Sequence, residues 1–131
     1  MADVNRGNRP LSPHLSIYRP LWTMILSITH RITGVGLAVS SIMITWWFLA
    51  LAIGEDYFET ANAAMTSVVG GFILIASLWA LAFHLCNGIR HLFWDAGKGL
   101  DLDTAYRSGL AVMAGSIVLT VIGILVATGV F

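Results

Sequence analysis

Charge is what this chain has least of. Lys, Arg, Asp and Glu make up 11% of its 131 residues and apolar types 57%, where a soluble domain carries about 25% charged residues. A surface so poor in charge does not suit water, so the natural solvent is lipid. The formal net charge is zero, which leaves no basic surface for nucleic acid. Cys86 is the single cysteine. It excludes an internal disulfide and, in the middle of an apolar run, reads as a small core residue. The three prolines, Pro10, Pro13 and Pro20, lie too close together for continuous helix, so residues 1–20 form an arm carrying Arg6, Arg9 and Arg19. No internal repeat or low-complexity tract is present.

Beyond the arm, three long runs lack charge. The first goes from Ile32 to Gly54, the second from Ala63 to Phe83 and on through His84, and the third from Ser108 to Phe131. Each reaches the roughly 20 residues needed to cross a bilayer. The pattern predicts an all-α membrane protein, a single membrane-anchor domain over 1–131 with three transmembrane helices preceded by a cytoplasmic N-terminal arm. The expected spans are about 23–53, 64–92 and 106–130. Between the first two lies an acidic connection, Gly54-Glu-Asp-Tyr-Phe-Glu59, and between the last two a polar link from Asp95 to Arg107.

Charge also orients the chain. All seven Lys and Arg fall in or beside the arm and the second link, whereas residues 54–62 hold only acids. Basic segments mark the cytoplasmic side. The N-terminus is therefore expected in the cytoplasm and the C-terminus outside, in the periplasm. The N-terminus has neither the apolar core of a signal peptide nor the Arg- and Ser-rich character of a mitochondrial presequence, so a bacterial inner membrane is expected. His84 then lies roughly 12 Å below the cytoplasmic surface, counting 1.5 Å per residue, and Ser27, His30 and Arg31 enter from the same side. Tyr18, Trp22 and Trp94 suit an aromatic belt there.

The polar residues of the first two runs carry the chemistry. On a helix, Ser27, His30 and Arg31 share a face. Arg31 could snorkel to lipid headgroups and Ser27 bond its own backbone. The functional alternative is a pocket for anionic or carbonyl oxygens, such as the carboxylate arms of a cofactor or the carbonyls of a quinone. His84, deeper and with no acid in its own span, is either satisfied by a neighbouring helix or a metal ligand. Gly88, one turn on, leaves room for a flat ring beside it. Zinc would need three or four protein ligands, and His84 has no suitable companion at its depth in its own span. Haem needs one axial ligand from this chain, with His30 as a further internal candidate. Arg90, His91 and Asp95 read as a solvated helix end whose basic groups complement the helix dipole, although His91 can face the His84 side.

Two motifs carry a family likeness. The first runs from Arg9-Pro10-Leu11 to Ser27-Ile-Thr-His30-Arg31-Ile-Thr33-Gly34, and the second is His84-x3-Gly88-Ile89-Arg90-His91-Leu92-x-Trp94-Asp95-x-Gly97. In this order, with three spans around them, they resemble the cytochrome b subunits of succinate dehydrogenase, the larger membrane anchors of respiratory complex II. The likeness covers nearly the whole chain. It implies a complex with an FAD flavoprotein, an iron–sulfur subunit and a second small membrane anchor, the two anchors sandwiching haem b.

By that resemblance His84 is one axial ligand of the haem iron and the partner anchor supplies the other. His30 and Arg31 lie near the haem propionates, Ser27 and Arg31 line the ubiquinone site, and His91 is a weaker carry-over. No catalysis is expected of the chain alone. Its expected part is to help pass electrons from the iron–sulfur subunit to ubiquinone, linking the tricarboxylic acid cycle to the respiratory chain. The competing readings are a haemless structural anchor or assembly subunit, and the anchor of a quinol:fumarate reductase.

Overall fold

A computed structural model describes residue 7 and residues 9–129 of the chain. Arg6 and most of the first eight residues of the arm lie outside them, as does Val130 at the end of the third expected span. Helices account for nearly all that follows the arm: α1 (Trp22–Ile53), α2 (Glu55–Thr66), α3 (Val68–Asp95) and α4 (Leu102–Ala127). There are no strands among the described residues. Three of the helices, α1, α3 and α4, are long and apolar enough to cross a membrane. With 32 residues, α1 is roughly 48 Å long at about 1.5 Å per residue, longer than the roughly 30 Å of a hydrocarbon core.

The acidic connection is not a loop. Its residues form α2, a 12-residue helix with Glu55 and Asp56 in the first turn, where negative charge complements the helix dipole. Gly54 separates α1 from α2 with φ 151° and ψ 169°, a conformation open to little besides glycine. Ser67 then caps α3, its hydroxyl accepting from the Gly70 N–H at 3.1 Å. Side chains tie α2 back to the end of α1. The Trp46 indole donates to the Tyr57 hydroxyl at 3.0 Å, and Trp47 packs edge-on against Phe58 at 5.3 Å.

Within the bundle α3 is central, packing on both α1 and α4. One buried residue from each span, Leu26, Phe83 and Val112, makes the core, with Trp22, Trp79, Cys86 and Met113 packed around it. The buried face of α4 is a stripe of mostly small side chains, Ala105, Gly109, Val112, Ser116 and Thr120, which lets the helices approach closely. At Gly109 a Cβ would stand 2.6 Å from both Leu26 Cδ1 and Trp22 Nε1. Any larger residue there would force the Leu26 and Trp22 side chains, or the helices themselves, to shift. Most of the large apolar side chains outside this core face outward: only 6% of the most apolar stretch of α1 is buried, so lipid or another chain must cover it.

Arg90 is the one buried charged side chain among the described residues, and it is not the solvated helix end its position suggested. It is 5% exposed. Its Nε donates to Ser108 Oγ at 3.0 Å, one terminal nitrogen to the Ala105 carbonyl at 2.8 Å, and the other to Asn87 Oδ1 at 3.4 Å. The guanidinium also lies 3.9 Å above the Trp94 ring. Packing of the small residues of α4 brings carbonyl and hydroxyl oxygens within its reach, and the planar fork of donors fits them. Ahead of α4, Asp101 caps the helix by accepting from the Thr104 N–H at 2.9 Å. That hydrogen bond holds its carboxyl below the usual range.

Arg90→Ala is expected to cost about 2 kcal/mol by leaving buried oxygens without donors. The midpoint of unfolding in mixed detergent should fall accordingly. Arg90→Lys should recover only part of the loss, because an ammonium cannot reproduce the fork.

Candidate functional site

α1 and α3 pack so that their histidines meet. The rings of His30 and His84 are stacked, with centroids 3.8 Å and planes 12° apart. His91 brings a third ring 5.1 Å from that of His30. Trp94, edge-on to His91 at 5.2 Å, closes that side. The expected sharing of one level by the polar groups of the first two spans is thus realised as direct contact. The three imidazoles nonetheless do not form a metal-binding cluster among the described residues.

The contacts of His84 favour one tautomer. Its Nδ1 lies 3.2 Å from the His30 carbonyl oxygen and 3.3 Å from Thr33 Oγ1. A carbonyl can only accept, so Nδ1 must carry the hydrogen for that contact to be favourable. Thr33 has its own carbonyl acceptors, Thr29 and His30, each at 2.9 Å. Its hydroxyl proton is therefore better placed on a backbone oxygen than on His84. With Nδ1–H turned into α1, the lone pair of His84 is on Nε2, which makes no hydrogen bond among the described residues.

Two glycines frame the ring. At Gly34 a Cβ would stand 3.1 Å from His84 Cε1, so the bare backbone of α1 is what the imidazole lies against. At Gly88 a Cβ would meet nothing within 4 Å. The space one turn from His84 is therefore open. His30 adds a buried Nδ1 with no hydrogen-bond partner.

Ser27 is half-buried and Arg31 exposed on the same helix. Neither side chain makes a hydrogen bond or ion pair among the described residues, the one such ion pair being Arg107 with Asp103 at 2.9 Å. Ser27 does not bond its own backbone, so its hydroxyl remains available. These groups contrast with Arg90, whose donors are taken up by Ser108 and Ala105 of α4 and by Asn87. Arg90 also lines a separate cleft of about 560 Å³ between α3 and α4, with Cys86, Phe93, Lys98 and Ala111 among its walls. That cleft is almost wholly apolar, and none of the three histidines reaches it.

Comparison with known proteins matches residues 5–123 to the succinate dehydrogenase/fumarate reductase transmembrane subunit family. The chain belongs to that family. It is 49% identical over 126 residues to the succinate dehydrogenase cytochrome b556 subunit of Paracoccus denitrificans, covering 96% of this chain and 97% of that one. The b556 subunit of Rickettsia conorii is 40% identical over 88% of this chain and 90% of its own length. The mitochondrial cytochrome b560 subunit of Bos taurus is also 40% identical, over 81% of this chain and 64% of the bovine one.

As a transmembrane subunit of succinate dehydrogenase, the chain has an anchoring role that accounts for its outward apolar faces. Two site residues were not singled out by their spacing. Thr33 and Gly34 enter the sequence only as the last two residues of the first motif. The available signal was position: Thr33 follows His30 by three residues and so shares its helical face. Nothing in the sequence shows that the face is turned toward His84, because that depends on how α1 and α3 cross.

Proposed function

We propose that this membrane anchor binds haem b through His84 and forms one wall of the ubiquinone-reduction site of succinate dehydrogenase. The observation that carries the reading is the direction of the His84 ring. Its Nδ1 is held at 3.2 Å by the His30 carbonyl, which leaves the Nε2 lone pair for an axial bond to iron. A ligating histidine characteristically donates its other N–H to a backbone carbonyl in this way. The open space at Gly88 and the unpartnered, buried His30 Nδ1 fit a bulky polar-edged group beside the ring. The names of the cytochrome b556 and b560 relatives support haem as that group.

His30 does not serve as the opposite ligand. Its ring is stacked on His84 at 3.8 Å, too close to admit iron and a macrocycle between the two. With haem bound, the partner anchor would supply the second histidine, and His30 and Arg31 would lie near its propionates, the unpaired Arg31 guanidinium serving as counter-ion. His91 holds the outer side of His30 and is not assigned a bond to the cofactor. When bound, haem b supplies a one-electron store next to the quinone pocket.

Ser27 and Arg31 provide the quinone chemistry of this chain. Reduction to quinol adds two electrons and two protons, and negative charge develops on the carbonyl oxygens as electrons arrive. A guanidinium and a hydroxyl without competing protein partners can hydrogen-bond those oxygens and lower the barrier. Electrons come from the iron–sulfur subunit, itself supplied by the FAD flavoprotein. In this reading the arm and the α3–α4 link are cytoplasmic, Arg31 lies in the cytoplasmic half of its span, the C-terminus is periplasmic and the membrane is the bacterial inner membrane.

His84→Leu should remove most of the haem from the purified complex, read in the reduced-minus-oxidised optical spectrum, while leaving the subunits assembled. Full haem content in that variant would contradict the assignment. Ser27→Ala or Arg31→Ala should lower ubiquinone reduction by on the order of 100-fold with much less effect on succinate oxidation by an artificial dye. Equal loss of both activities would point to an assembly defect.

A further inference from the structure

Thr33 is a polar side chain only 4% exposed in the middle of an apolar helix. Its hydroxyl has one proton and two lone pairs. The carbonyls of Thr29 and His30 stand at 2.9 Å each and His84 Nδ1 at 3.3 Å. If the proton goes to Thr29, as in the back-bond a threonine makes to the carbonyl four residues earlier, both remaining demands are met. A hydroxyl lone pair then faces the His84 N–H, and the His30 carbonyl keeps its second lone pair for the same hydrogen. If the proton went to His30, the hydroxyl and the imidazole would compete for one oxygen.

Gly34 completes the arrangement. The ring rests on α1 only because this residue has no side chain, a Cβ there standing 3.1 Å from His84 Cε1. Consecutive residues of α1 thus supply an oxygen for the inner edge of the imidazole and a bare surface for its body. The geometry points to Thr33 as the positioning residue that, with the His30 carbonyl, holds His84 with Nδ1–H inward and Nε2 outward. This inference rests on the reading of His84 as a haem ligand. Hydrogen bonding at Nδ1–H also makes the imidazole a stronger donor through Nε2, which favours the ferric state.

The test uses the assembled complex with its haem. Thr33→Val keeps the shape and removes the hydroxyl, and Thr33→Ser keeps the hydroxyl and removes a methyl group. Haem transfer to excess apomyoglobin should be roughly 10-fold faster in Thr33→Val, the lower end of what loss of an outer hydrogen bond to a metal ligand costs. The haem midpoint potential should move in the positive direction. Thr33→Ser should restore both to the wild-type values.

An unchanged potential and transfer rate in Thr33→Val would overturn the role of the hydroxyl. So would the same change in Thr33→Ser as in Thr33→Val, which would assign the effect to packing. If Thr33→Val fails to assemble, Thr33→Ala takes its place with the same expected and contradicting results. His84→Leu run alongside separates the two readings. Full haem in His84→Leu refutes the ligand assignment, whereas loss of haem there with an unaltered Thr33→Val refutes only the role of Thr33.

Discussion

Hydrocarbon offers no hydrogen-bond partner, and the arrangement of polar groups in this chain follows from that constraint. Each polar side chain that enters the apolar region must be answered by protein or by something bound to it. Arg90 is answered within the chain, its donors divided between Ser108, Ala105 and Asn87. His84 is half answered: its Nδ1 meets the His30 carbonyl and Thr33, while Nε2 does not meet a described residue. Ser27 and Arg31 keep their hydrogen-bonding capacity unused. Buried Asn87 Nδ2 and Trp22 Nε1 also lack partners, but the unmet capacity of His30, His84, Ser27 and Arg31 lies on the first two spans, where a shared cofactor and a polar substrate would complete it.

Packing makes this division possible. The small-residue stripe of α4 draws it close to α3, and the same approach delivers the oxygens that hold Arg90. α1 lies on another side of α3, where Gly34 lets His84 touch its backbone. One central helix therefore shows a structural arginine to one neighbour and a half-satisfied histidine to the other. Leu26, Phe83 and Val112 between the spans fix the relation of these two faces.

Much of this was legible in the sequence. Uncharged runs identify the three long apolar helices, since hydropathy over 20 residues is a strong signal for a lipid-crossing segment. The common level of His30 and His84 could also be read, because two spans joined by a short connection must run in opposite directions. The helix α2 could not. Its acidic, weakly apolar composition resembles a loop, and its helicity depends on Gly54, Ser67 and the docking of Tyr57 and Phe58 on the tryptophans of α1. Arg90 looked like a solvated terminus because its acceptors come from α4, a segment whose position no local pattern announces. Thr33 and Gly34 were obscured for the same reason: helix crossing decides which residues meet His84.

The most direct test is a structure of the purified complex at a resolution that shows the orientation of the His84 ring. The expected result is a macrocycle whose iron would be bound by His84 Nε2, with Nδ1 still in hydrogen-bond contact with the His30 carbonyl and Thr33. A haem held by other residues, or a His84 ring turned so that Nδ1 faces the iron, would contradict it.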